Sequence, residues 1–261
     1  MTIGTNLIVK LRELTGAGVG DCKVALEEAA GDLDKATEIL RKKGAIKAAK
    51  KSDRATNEGV IAIAKSGNKA SVVGIACETD FVARNEDFIK TVNDFADKLL
   101  NTNENDFRQW ADDRIKNELV VKIGENIQLA AAEVVEGEVI GTYLHSNKKI
   151  ASVVILSGGN EELATDLAMQ VAAMSPKYIK PEDVDSKELE KEKEIYAEQL
   201  KAEGKPEAML EKIIAGKISK YYQEVCLIKQ SFIKDDKIPV EDFVKRAGDG
   251  IKIVDFRRYQ I

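Results

Sequence analysis

Apolar residues return at helical spacing through the first 44 positions and at alternate positions soon after, and that change of period divides the chain. Leu7, Leu11 and Leu14 share one face; Val19, Cys22, Leu26 and Ala29 share a second; Leu33, Ala36 and Leu40 make a third. Three short helices are expected over residues 1–44, with Gly31 and Gly44 where C-terminal caps belong and Asp32 capping the third. Their outer faces suggest docking. Residues 45–57 read as a connection to the main body.

Beyond it, Val60–Ala64, a polar turn at Ser66–Lys69 and Ser71–Ile75 read as a β-hairpin of mostly β-branched residues. A helix follows, with Asn85 as its cap, Glu86 and Asp87 in its first turn, and Phe88, Val92, Ala96 and Leu99 inward. The same order returns in Val139–Leu144, a turn at Ser146–Lys149, Ser152–Leu156, and a helix capped by Asn160. Glu161 and Glu162 open that helix, and Leu163, Leu167, Val171 and Met174 face inward. Ser-Val-Val stands at the same place in both copies. The expectation is an α+β fold with two related hairpin-plus-helix subdomains, over 58–136 and over 137–184 with 226–261.

Laying Ser71 on Ser152 makes the first copy six residues longer, and the surplus is Thr79-Asp80-Phe81-Val82-Ala83-Arg84. The second copy turns from strand to helix with little more than Gly158-Gly159. A segment that the fold can omit, yet which carries an apolar ring, is a candidate contact surface. The competing reading folds Phe81 back as a lid on its own core, because large rings are usually buried.

After Pro176 and Pro181 the stretch from Ser186 to Glu203 is almost wholly charged, with Leu189, Tyr196 and Leu200 at seven-then-four spacing. Gly204-Lys205-Pro206 then leads into Met209, Leu210, Ile213, Ile214, Ile218, Tyr221 and Val225. This is the pattern of an antiparallel helical hairpin over 185–225, standing off the body. Its apolar stripe is thin enough to call for a partner surface, a second copy of itself being one candidate. Pro239 opens a short helix with Val240, Phe243 and Val244, and 251–259 alternate as a strand.

Composition narrows the function. The chain has 261 residues, 44% of them hydrophobic, and a net charge of −5, which weighs against a general nucleic-acid binder. Its three cysteines, Cys22, Cys77 and Cys226, lie far apart, as free thiols in a reducing compartment would. The opening residues lack a signal-peptide layout and no apolar run is long enough for a membrane span, so a soluble cytoplasmic protein is expected. From Arg41 to Arg54 seven Lys or Arg stand against one acid, Asp53. Short charge runs without aromatics are usually solvated linkers, although this one could also hold phosphates. Gly16-Ala17-Gly18-Val19-Gly20 has neither the spacing nor the preceding strand of a dinucleotide loop. His145 is the only histidine, and no base stands near a nucleophile. No catalytic centre, metal site or cofactor is expected. Glu78 and Asp80 could be imagined as an acid pair, although turns are rich in acids.

Several short motifs resemble the bacterial translation elongation factor Ts family, in that family's order along nearly the whole chain. They are Thr15–Gly18 with Asp21–Leu26, Gly44–Lys51, Thr79–Ala83, Lys122–Ile127, Ile179–Val184 and Gly204–Glu207. The resemblance implies a guanine-nucleotide exchange factor for elongation factor Tu, binding both its GDP-bound and nucleotide-free forms, with no direct nucleic acid and no membrane as partners. It also implies a ubiquitin-associated-like fold for the three helices and a coiled-coil hairpin. Displacement of the partner's Mg²⁺ would fall on Thr79, Asp80, Phe81 and Val82. Partner contacts would fall on Val19, Gly20 and Lys23, and on His145 in the second copy. Val19 and Gly20 stand where the family often has two bulky apolar residues, so a weaker contact is expected there. Some members continue with an extra helical module past the final strand; the sequence ends at Tyr259-Gln260-Ile261, and no contribution from such an extension is expected.

Overall fold

The computed structural model describes residues 3–261; Met1 and Thr2, where the leader reading begins, lie outside the described residues. The chain divides into two compact units. The first runs to Val135 and adds Ser146–Ile150 and Tyr259–Ile261. The second comprises Glu136–His145 and Ala151–Arg258. Both mix helices with small antiparallel sheets, an α+β arrangement.

Helices α1 (Thr5–Thr15), α2 (Val19–Glu28) and α3 (Leu33–Lys51) begin the first unit. They enclose Leu11, Cys22, Leu26, Ala36 and Leu40. Asp32 caps α3, its carboxylate accepting the N–H groups of Asp34 and Lys35 at 3.0 and 3.1 Å. Leu14 and Val19, at the ends of their apolar faces, are exposed. The reading of Gly44 as a C-terminal cap needs correction, because α3 continues unbroken to Lys51, through the first part of the 45–57 connection.

The strands β1 (Glu58–Ser66) and β2 (Lys69–Cys77) pair antiparallel from Glu58↔Cys77 to Ser66↔Lys69. One helical turn, α4 (Asp80–Ala83), joins them to α5 (Glu86–Leu100). Helix α6 (Glu104–Arg114) passes through a π-helical turn, Ile115–Leu119, into α7 (Val120–Ile123). Strand β3 (Gln128–Glu136) completes the sheet in the order β1-β2-β3. Phe88, Val92, Phe95, Ala96 and Leu99 of α5 form its buried face, and Phe95 meets Phe107 edge-on at 6.1 Å.

Gly44 explains how α3 fits this unit. A Cβ at that position would lie 2.3 Å from Val121 Cγ2 and 3.2 Å from the Lys116 carbonyl oxygen. The glycine therefore lets α3 cross the α6–α7 stretch at close range, and sequence spacing alone could not separate that use from a helix stop.

In the second unit β4 (Val139–Leu144) and β5 (Ile150–Ser157) pair from Val139↔Leu156 to Leu144↔Ala151, and α8 (Glu161–Met174) follows. The long helices α9 (Ser186–Ala202) and α10 (Glu207–Val225) pack on each other. The Glu188 carboxylate ties their base by accepting the hydroxyls of Tyr178 (2.5 Å) and Tyr221 (2.6 Å), which hold it below the usual carboxylate range. A small hairpin of β6 (Ser231–Phe232) and β7 (Asp235–Pro239), helix α11 (Val240–Ala247) and strand β8 (Lys252–Gln260) close the chain. The sheet order is β4-β5-β8. Among the described residues no helix is long and apolar enough to cross a membrane.

One bond recurs in both hairpin–helix segments. Ser71 of β2 donates its hydroxyl to the Ala96 carbonyl of α5 at 2.7 Å, and Ser152 of β5 donates to Ala168 of α8 at 2.6 Å, both fully buried. Each serine thus meets its polar need on the helix it faces.

Two outcomes are expected. Gly44→Ala should destabilise the chain by about 1–2 kcal/mol, although alanine is the better helix former. The same change should cost clearly less in a Val121→Ala background, as urea unfolding of the four variants would measure. At α11, Lys229 (2.7 Å) and Lys245 (2.8 Å) hold Glu241 down to about 2. A carboxyl depressed on folding stabilises above its unfolded pKa and loses that contribution as pH falls through the folded one. The stability gap between wild type and Glu241→Gln should therefore be full at pH 6 and close between about pH 4.5 and 2.

Candidate functional site

Strand β2 delivers the backbone to Cys77 at the edge of the first core, and Asn85 restarts it as α5 by accepting the N–H groups of Asp87 and Phe88. Between these fixed points stands α4. Thr79 is its cap, extended at φ −122° and ψ 153°, with its hydroxyl oxygen 3.4 Å from the Val82 N–H. The turn buries Ala83 and lays Val82 against the core. Residues of a helix are set about 100° apart, so a single turn that turns Val82 and Ala83 inward has no inward place left for its neighbour. Phe81 is 84% exposed. The lid reading is thereby excluded: the ring does not cover its own core.

The polar groups around the ring are engaged. Asp80 pairs with Arg84 at 3.1 Å. Glu78 points elsewhere, accepting the N–H of Asn126 at 2.6 Å with Arg54 at 3.4 Å, so Glu78 and Asp80 do not form an acid pair. The Cys77 thiol, pushed up to about 11 by burial and by Glu125 and Glu58, stays protonated near neutrality and is a poor nucleophile. The turn offers contact rather than a covalent step. Beside Phe81 an open groove of ≈ 370 Å³ is lined by Val82, Phe88, Thr91, Leu119, Lys122 and Ile123.

The other sequence-derived candidates lie apart in the chain. Val19, Gly20 and Lys23 occupy the start of α2; all three are exposed, and Lys23 is 3.9 Å from Glu27. Gly16 and Gly18, of the glycine-rich stretch, cap the end of α1 and the start of α2. His145 follows β4 in the second unit, half-buried, with Nδ1 3.1 Å from the Tyr143 hydroxyl. Glu125 was missed as a site residue. Its sequence signals are its place inside the Lys122–Ile127 motif and just after Gly124, where a helix ends and a side chain is free to turn back.

A family model described as Elongation factor TS matches residues 78–261. The Elongation factor Ts of Hydrogenobaculum sp. (strain Y04AAS1) is 43% identical over 274 residues, covering 100% of this chain and 99% of that protein. That of Hahella chejuensis (strain KCTC 2396) is 40% identical over 264 residues, covering 99% of this chain and 92% of that protein.

A ring held in water contributes little to the fold that carries it. Phe81→Ala is expected to leave the unfolding free energy within about 0.5 kcal/mol of wild type, whereas Phe88→Ala, in the same segment but 3% exposed, should cost about 3–5 kcal/mol by denaturant titration.

Proposed function

We propose, since this chain belongs to the elongation factor Ts family, that its exchange activity is delivered by the turn Thr79–Val82. The chain is a guanine-nucleotide exchange factor for elongation factor Tu, acting in translation elongation. It works in the cytoplasm, with neither a membrane nor nucleic acid as a direct partner. The observation that carries the proposal is the exposure of Phe81 on a turn anchored at both ends.

Exchange of this kind makes and breaks no covalent bond. A factor that binds the nucleotide-free GTPase more tightly than the GDP-bound form must, by linkage, loosen GDP by the same factor. Phe81 enters an apolar recess beside the nucleotide site and shifts the groups that order Mg²⁺ and phosphate. Asp80 brings a negative charge to the same network, while Thr79 and Val82 fix the turn. Burying one phenylalanine is worth roughly 1.5–3 kcal/mol, and about 1.4 kcal/mol is tenfold in rate. The ring alone thus accounts for about ten- to a hundredfold acceleration. The remainder comes from surfaces that hold the partner: Val19, Gly20 and Lys23 on the three-helix segment, which we read as ubiquitin-associated-like, and His145 on the second hairpin–helix segment. We read the two hairpin–helix segments as related copies, each with its buried serine bond. Helices α9 and α10 form a coiled-coil hairpin. Ile195 and Met209, exposed along it, suit contact with a second copy of the chain.

Stopped-flow release of fluorescent GDP from elongation factor Tu tests the proposal. At saturating factor, Phe81→Ala should lower the maximal release rate by about ten- to a hundredfold while shifting the half-saturating concentration far less. Undiminished release by that variant would remove the role of the ring.

A further inference from the structure

The turn that carries Phe81 is held from behind by a single carboxylate. Glu125 stands immediately after Gly124, and both its oxygens face the turn. Oε2 accepts the N–H groups of Glu78 (3.0 Å) and Thr79 (3.1 Å), and Oε1 accepts the Thr79 hydroxyl at 2.6 Å. A glutamate three residues into a helix often takes the N–H of that helix's own cap; here the same need is met by a residue 46 positions away. The bond is returned, for Glu78 accepts the N–H of Asn126. Asn126, 3% exposed, donates its Nδ2 to the carbonyls of Ser52 (3.3 Å) and Arg54 (2.8 Å), and Lys51 donates to the Gly124 carbonyl. The end of the basic run, the loop after α7 and the base of the turn are thereby closed into one ring of bonds inside the first unit.

Two features separate this from ordinary satisfaction of a polar group. Every bond described for Glu125 goes to Glu78 or Thr79, the residues that set the start of α4. Those bonds are charge-assisted and geometrically divergent, so they fix direction as well as distance. We infer that Glu125 is a positioning residue for nucleotide exchange, setting the angle at which Phe81 is presented, with Asn126 and the carbonyls of Ser52 and Arg54 as its backstop. The inference rests on the reading of Thr79–Val82 as the exchange element. It also gives the last part of the basic run a use, as a bracing segment rather than a phosphate site. A turn ordered beforehand loses less freedom on docking than a loose one, and the benefit appears where the ring must act, in the maximal rate.

The test uses the full chain and GDP-loaded elongation factor Tu. Glu125→Gln keeps the volume but replaces one acceptor oxygen with a donor amide. It should lower the maximal rate of fluorescent GDP release about tenfold and move the half-saturating concentration by less than about twofold. Thr79→Val should do likewise, while Thr79→Ser, which keeps the hydroxyl, should retain the wild-type rate. In a Phe81→Ala background Glu125→Gln should add nothing, since it acts through the ring. In the free protein the same substitution should speed hydrogen exchange at the amides of Glu78 and Thr79, with the thermal unfolding midpoint preserved. Slow release by Phe81→Ala beside full-speed release by Glu125→Gln overturns this inference alone, as does a loss that multiplies with that of Phe81→Ala. Full-speed release by Phe81→Ala overturns the reading of the turn, and the positioning role with it.

Discussion

An apolar ring stays in water only where the backbone beneath it cannot fold it inward, and that constraint governs the first unit. Phe81 sits between Cys77, sealed into the core, and Phe88, sealed into the same core one turn beyond α4. The intervening residues are too few and too firmly bonded to bring the ring back. Removing that ring from water would be worth roughly 1.5–3 kcal/mol. The fold leaves this gain unclaimed within the chain, so it is available to whatever surface covers the ring. The sheet, the buried face of α5 and the reciprocal bonds of Glu78 and Glu125 all serve to keep it so.

The same unit shows how a polar cluster can be specific without being catalytic. Its carboxylates meet backbone N–H groups, a hydroxyl and guanidinium groups. Their role is directional: they convert a six-residue insertion into a surface of definite shape. Cys77, the one nucleophile beside it, is kept protonated by burial and by the neighbouring acids.

Much of this was legible in the residues. The two hairpins, the caps Asn85 and Asn160, the long helical pair and the surplus at Thr79–Arg84 follow from period and turn chemistry, which are local properties. Four things were not legible, each for a physical reason. Gly44 reads as a helix stop because its use depends on Val121, far along the chain. Strand β3, with alanines at Ala130, Ala131 and Ala132, lacks the β-branched signature of its neighbours, and its place is set by pairing on β2. Glu125 lies inside the Lys122–Ile127 motif, but its partner is invisible until the fold brings it beneath Thr79. Nor could the sequence decide whether Phe81 lay in or out, since hydrophobicity favours the interior; the length and bonding of the turn decide it.

The unbroken course of α3 has a mechanical consequence. At 1.5 Å per residue its 19 residues form a rod of about 28 Å, starting among the three helices and ending at the carbonyls that brace the base of the turn. A flexible tether would let the two ends of this unit meet a partner as separate events, each with its own search. On the proposed reading, in which both ends touch the partner, a rod makes them the two jaws of one tool. With the helical end seated as proposed, the ring would already stand at its working distance, its effective concentration set by the stiffness of a rod rather than by the length of a string.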